Sequence, residues 1–183
     1  MLNRHGPKSR AWVRIPHPPP YIFSLWPTIF ETANFIIESH EKPFVTRTDG
    51  GHIRIAVKDK SIEDRTKLSP KGAIELMRLT IVVGEALQKV MNDQGIPVVK
   101  VNYQDMGNWS YKEGKKPYLH VHVFGRASNS IKQPFPESVY LPDRSSGFYD
   151  GFEPLNKNDC ALLRETINNL LNEDRYSNKT WCL

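Results

Sequence analysis

Cysteine is almost absent. Cys160 and Cys182 are the only two in 183 residues, too few for a four-cysteine zinc site or a disulfide framework. Long apolar runs are missing as well. No window approaches the roughly 18 continuous apolar residues of a membrane-spanning helix, so no membrane partner is expected. The first residues lack the charged, then apolar, then small-residue order of a secretory signal, and a cytoplasmic location is the default expectation. There is no internal repeat, no low-complexity tract and no aromatic-basic signature of an RNA-binding module. The triplets "NWS" (108–110) and "NKT" (178–180) fit the glycosylation pattern but read as chance without a signal.

What remains is an ordinary globular composition, 39% hydrophobic and 25% charged, in a chain long enough to bury one core. The net charge of +5 favours anionic partners such as nucleotides or nucleic acid. Much of the excess sits in Arg4, Lys8, Arg10 and Arg14, ahead of the proline-rich "IPHPPP" (15–20), which favours an extended path. Residues 1–28 therefore read as an N-terminal arm, and 29–183 as a single domain with its motifs in 35–127 and loops plus a helix in 128–183.

Periodicity supplies the elements. "NFIIES" (34–39) reads as a first strand, followed by a turn closed by Asp49-Gly50-Gly51. In "HIRIAVK" (52–58), His52, Ile53, Ile55 and Val57 suggest a buried face, with Arg54 and Lys58 on the other. Ser69 and Pro70 form a cap and first-turn pair for a long helix. Ile74, Met77, Ile81, Gly84, Leu87 and Met91 trace one of its faces, and Gly95 stops it. "IPVVKVNYQ" (96–104) is a third strand, a polar loop spans 105–117, and "YLHVHVFGR" (118–126) is a fourth. After the loop-rich "SNSIKQPFPESVYLPDRSSGFYDGFEP", residues 158–171 form a closing amphipathic helix. Short connections between consecutive strands imply antiparallel pairing, hence an α+β class.

His120 and His122 project from one face of their strand, about 7 Å apart, while Leu119, Val121 and Val123 fill the other. Three chemistries fit such a pair. The rings can be structural, satisfied by hydrogen bonds. They can hold zinc, with a third ligand from His40, His52 or a carboxylate, although no dense cluster marks that ligand. Or one imidazole can attack a phosphate ester while its other N–H is fixed by a backbone acceptor and the neighbouring imidazole donates to the phosphoryl oxygens or leaving group.

The motif "HVHVFGR" resembles the signature of the histidine-triad (HIT) superfamily. The likeness extends in order over residues 35–127, through "FIIESHEKP", "GGHIRIAVKDKSIEDRTKLSPKGAIELMRL" and "VNYQDMG". It implies a HIT-like antiparallel sheet of about five strands with a long helix packed on it and a C-terminal helix. The implied activity is hydrolysis of a nucleoside phosphoanhydride or phosphoramidate at the α-phosphorus, through a nucleotidyl intermediate on His120 with His122 as donor. Asn102 or Gln104 would supply an amide to phosphate or ribose, His40 lies near the ribose position, and His52 would act behind the catalytic pair. No cofactor and no metal ligand set is implied, magnesium coming if at all with the substrate, and a homodimer is expected. Two departures stand out. Tyr118 occupies the first triad position, where only its backbone carbonyl can do the family's orienting work. The loop before the signature is longer and carries "EGKKP" (113–117), in which Lys115 is either a partner for the leaving phosphate chain or an ordinary solvated lysine. The rivals are a nucleotide-binding or interaction module of the same fold without useful turnover, and an enzyme acting on adenylated or capped nucleic-acid ends through the basic arm. The stretch "PDRSSGFYDGFEP" could cover the pocket of its own subunit or a neighbour's, or be plain surface loop.

Overall fold

The computed structural model describes residues 27–183; the basic, proline-rich part of the N-terminal arm lies outside the described residues. Five strands, β1 (Thr28–Glu31), β2 (Phe35–Ser39), β3 (His52–Val57), β4 (Val98–Asp105) and β5 (His120–Ala127), form one antiparallel sheet in the order β1-β2-β3-β5-β4. The expected α+β, HIT-like architecture is the one observed. Beyond the four strands that periodicity delineates, the fifth is β1. It forms because Thr32 turns the chain, its hydroxyl accepting the N–H of Phe35 at 3.1 Å, so that the apolar segment ahead of it folds back on β2 as a hairpin.

The long helix α1 (Pro70–Asp93) starts as expected: the Ser69 hydroxyl accepts the Gly72 N–H and Pro70 occupies the first turn. Gly95, with φ of +79°, ends it. Of the expected buried face, Gly84, Leu87 and Met91 are buried and the N-terminal half is not. Leu76, Leu79, Val82, Val83, Ala86, Leu87, Val90 and Met91 cover the sheet, whereas Ile74, Met77 and Ile81 are 37%, 54% and 38% exposed. The helix is apolar on two sides, and spacing alone does not say which one meets the sheet. Gly84 keeps its place for a separate reason: a Cβ there would fall 1.9 Å from the Tyr103 hydroxyl, which crosses the helix from β4. A short helix, α2 (Asn108–Lys112), interrupts the loop expected at 105–117, and α3 (Lys157–Leu171) packs beside α1. A final turn, α4 (Asn178–Trp181), closes the described chain.

One face of the sheet thus lies on α1 and α3. On β3 that face carries Ile53, Ile55 and Val57, so Arg54 shares the opposite face with His52, a pairing at odds with the expected grouping of His52 with the isoleucines. The opposite face is covered by loops and the short α2. Phe44, Val45, Phe124 and Val139 form a second apolar cluster there. The loops are tied down by buried polar groups. The Asp49 carboxylate accepts the N–H groups of Ile131, Lys132 and Gln133, and Arg126 donates to the carbonyls of Gln133, Pro134 and Glu137. Gln133 reaches back to the Phe44 carbonyl at 2.8 Å. At the root of this layer the 40–51 loop presses backbone against backbone on β5. A Cβ on Gly125 would stand 2.1 Å from the Gly50 carbonyl oxygen, a contact that no flexible side chain can relieve. Gly125→Ala is therefore expected to cost about 2–3 kcal/mol, read as a lowered midpoint of urea unfolding.

Candidate active site

The register of the sheet builds the site. Across four strands, Glu38 of β2, Arg54 of β3, His122 of β5 and Gln104 of β4 stand opposite one another in a single row. The next residue of β3 on this face, Ala56, stands opposite His120. Paired residues share a face, so the alternation that sends Val121 and Val123 into the core points both histidines into the loop-covered side. There they meet a cavity of about 380 Å³.

Hydrogen bonds fix which ring nitrogen carries each proton. His120 Nδ1 lies 2.8 Å from the Tyr118 carbonyl oxygen. A carbonyl only accepts, so Nδ1 holds the hydrogen and Nε2 presents a bare lone pair. His122 is set by a longer chain. The Phe44 backbone N–H donates to His52 Nδ1 at 3.2 Å, which forces the His52 proton onto Nε2. That nitrogen lies 2.8 Å from His122 Nδ1 and donates to it, leaving the His122 proton on Nε2. The adjacent rings, with centroids 4.9 Å apart, are therefore in opposite states: His120 offers a lone pair and His122 offers an N–H.

Burial keeps these rings neutral. Desolvation, aided by the neighbouring imidazoles and by Arg54 and Arg144, holds His52 and His122 well below the usual histidine range. His40, stacked on His52 with centroids 4.5 Å apart, is brought down to about 2, again chiefly by burial. His120 is lowered too, by desolvation, with its bond to the Tyr118 carbonyl working in the opposite sense.

The positions singled out in the sequence separate here. His40, His120 and His122 line the cavity and His52 lies directly behind them. Gln104 stands beside His122 but is not among the residues that line the cavity; its Oε1 is buried and has no partner among the described residues. Asn102 stands beside Phe124, outside the cavity wall, and its Oδ1 accepts from Arg126 at 3.0 Å. Lys115 also lies outside the wall, fully solvated and paired with Glu113 at 2.7 Å.

Several wall residues escaped sequence reasoning. Arg54 could have been found, since alternation places it on the His52 face. Trp109 of α2 was an aromatic in a polar loop, and Arg144 carried no local signal. Arg144 belongs to the stretch "PDRSSGFYDGFEP", which walls the cavity of its own subunit. Its guanidinium lies 4.4 Å from the Phe44 ring centroid and 5.1 Å from that of Tyr149, and Asp143 beside it pairs with Lys112 of α2 at 2.7 Å. Among the described residues, no three His, Cys, Asp or Glu side chains are grouped so as to hold a metal ion.

No protein-family model and no curated protein matches the chain. Solved structures do. A histidine triad protein from Bradyrhizobium japonicum aligns with a TM-score of 0.55 at 17% identity, over 78% of this chain and 90% of its own. A histidine triad protein from Sinorhizobium meliloti gives 0.54 at 18%, over 78% and 87%. A hypothetical histidine triad nucleotide-binding protein from Sulfolobus tokodaii gives 0.50 at 15%, over 79% and 85%. The chain has a histidine-triad-like fold.

The neutral rings give a pH test. Unfolded, each titrates near the ordinary histidine value; folded, each protonates only at much lower pH. As pH falls below about 6.5 the unfolded chain takes up protons that the native chain refuses, so stability falls. Each of His40, His52 and His122 can contribute up to about 1.4 kcal/mol per pH unit. Urea midpoints from pH 8 to 5 are expected to be flat above the histidine range and to drop below it.

Proposed function

We propose that the protein is a nucleotide hydrolase that cleaves a nucleoside phosphoanhydride or phosphoramidate at the α-phosphorus through a nucleotidyl intermediate on His120. The observation that carries this reading is the pair of opposed tautomers at His120 and His122. The fold it shares with histidine triad proteins, one of them described as nucleotide-binding, supports nucleotide as the ligand class.

Under this reading each group has a task. The Nε2 lone pair of His120 attacks the α-phosphorus and forms a P–N bond, while the P–O or P–N bond to the leaving group breaks and its electron pair departs with that group. The positive charge arising on the His120 ring is stabilised by Nδ1–H donating to the Tyr118 carbonyl. The Nε2–H of His122 donates to a phosphoryl oxygen or to the departing atom, held in that role by His52 and the Phe44 amide. Such oriented donors act where charge develops. Gln104, next to His122 in the row, is the better placed of the two amides to touch the phosphoryl group. Water then attacks phosphorus and gives up a proton to solvent, the P–N bond breaks with its electrons returning to Nε2, and a nucleoside monophosphate leaves. Each covalent step uses imidazoles and water, and magnesium enters only as a companion of a polyphosphate substrate.

The same reading includes a homodimer. β4 is an outer strand of the sheet, and Met77 and Ile81 of α1 with Tyr103 of β4 are exposed along one groove, with Ile74 exposed on the same helix. A second copy meeting this surface about a two-fold axis would cover the apolar helix face and continue the sheet. Ile81→Glu is expected to shift the protein to monomer in analytical ultracentrifugation, and an unchanged mass would remove this surface as the interface.

The decisive experiment incubates the purified protein with diadenosine tri- and tetraphosphate and with an adenosine phosphoramidate. AMP release is expected from the native protein and not from His120→Ala, with a mass increase of one adenylyl group when turnover is quenched in acid-free conditions. His122→Ala is expected to slow release by about 100-fold or more. Tight AMP binding with neither release nor adduct would make the protein a binding module. The acid limb of kcat/KM is expected below the ordinary histidine range, because the lowered pKa keeps His120 unprotonated as pH falls.

A further inference from the structure

We propose that Arg54 binds the α-phosphoryl oxygens and that Tyr118 is the residue that aims it; this rests on the nucleotide reading above. Arg54 stands opposite His122 in the β3–β5 register and lines the same cavity as His120. Ala56, opposite His120 itself, is fully buried, so the polar wall beside the nucleophile is made by Tyr118 and Arg54, which line the cavity with it.

Among the described residues, Glu38 and Tyr118 hold the guanidinium. Glu38, its side chain only 4% exposed, accepts from Nη2 at 2.6 Å and from Nε at 3.2 Å. The Tyr118 hydroxyl accepts from Nη1 at 3.1 Å. The Tyr118 ring is itself pinned, with Lys60 Nζ 3.8 Å from its centroid. A buried Arg–Glu pair adds little net stability, because desolvation of both charges offsets their attraction. What it provides is a rigid, planar cation on the wall of a cavity, the arrangement that matches phosphate oxygens. The position of the absent first histidine is thus occupied by a phenol that touches a cation facing the reaction centre. Arg54 and Tyr118 work as a pair: Arg54 touches the substrate, and Tyr118 acts through Arg54 as a positioning residue.

The test compares AMP with adenosine, since only the phosphate distinguishes them. Calorimetry on the native protein is expected to show AMP bound about 10- to 100-fold more tightly, the usual range for charge-assisted hydrogen bonds. Arg54→Gln is expected to weaken AMP by most of that factor and to leave adenosine unchanged. Arg54→Lys should recover part of the difference, and Tyr118→Phe should narrow it by about threefold. Because Arg54→Gln leaves the buried Glu38 unpaired, the double variant Glu38→Gln/Arg54→Gln is measured beside it, with unfolding midpoints for all. Loss of AMP and adenosine affinity together in every variant would reduce Arg54 to a structural role and overturn the proposal, as would an unchanged AMP affinity in Arg54→Gln. The two readings fail differently. Turnover with no affinity gap between AMP and adenosine would sink the Arg54 assignment and leave the hydrolase. An affinity gap that collapses in the variants, without any turnover, would keep Arg54 and sink the hydrolase.

Discussion

The N–H of Phe44 that points at His52 governs the chemistry of this site because a peptide proton cannot move. Once it occupies His52 Nδ1, the His52 proton must sit on Nε2, the His122 proton must follow, and a donor is presented to the cavity. The amide is useful only where the chain holds it still, and the holding is done from far away in sequence. Gln133 fixes the Phe44 carbonyl, Asp49 and Arg126 fix the segment that carries Gln133, and the contact between Gly50 and Gly125 brings that loop layer down onto β5. Packing on the loop side of the sheet thus decides a protonation state on a strand.

Burial and charge divide the remaining work. Four imidazoles crowded together would repel one another if charged, and desolvation prevents this by holding all of them below their ordinary range. Neutral rings can then hydrogen-bond in a fixed order without drawing in counter-ions. Positive charge at the cavity comes from Lys42, Arg54 and Arg144, Arg54 from the same strand as His52 and the other two from the loops, so attraction for an anion is supplied by groups other than the imidazoles. The cost of this division is carried by stability at low pH, where the folded chain must refuse protons that the unfolded chain accepts.

The legible parts of the sequence were those in which local chemistry and long-range packing agree. The alternation in "YLHVHVFGR", the Ser69-Pro70 start and the Gly95 stop each specify a backbone by themselves, and the pairing of His120 with His122 follows from strand geometry alone. Where a segment offers two compatible answers, tertiary context decided. The helix face of Ile74, Met77 and Ile81 is as apolar as the one that was buried, and only the position of the sheet tells them apart. In "HIRIAV" the hydrophobic weight of Ile53 pulled His52 into the wrong group, although strict alternation puts it with Arg54. Trp109 and Arg144 reach the cavity through loops whose course depends on the Lys112–Asp143 pair and on the aromatic surface of Phe44 and Tyr149, contacts between segments about 30 residues or more apart that no local pattern encodes.

Tyr118 bears on the site through two separable parts. Its carbonyl orients the next imidazole along the strand, and its phenol lies to one side. Every amino acid has the carbonyl, and here it holds His120 at 2.8 Å. The side chain is therefore free to vary, provided that it does not fill the space in front of the His120 ring. A phenol meets that condition when its hydroxyl is engaged to one side, and Arg54 engages it. Arg54 in turn needs a buried carboxylate to be tolerated at 13% side-chain exposure, which Glu38 supplies from the neighbouring strand. Tyr118, Arg54 and Glu38 are thus linked by contact, so a histidine in place of the tyrosine alone would strip Arg54 of a partner.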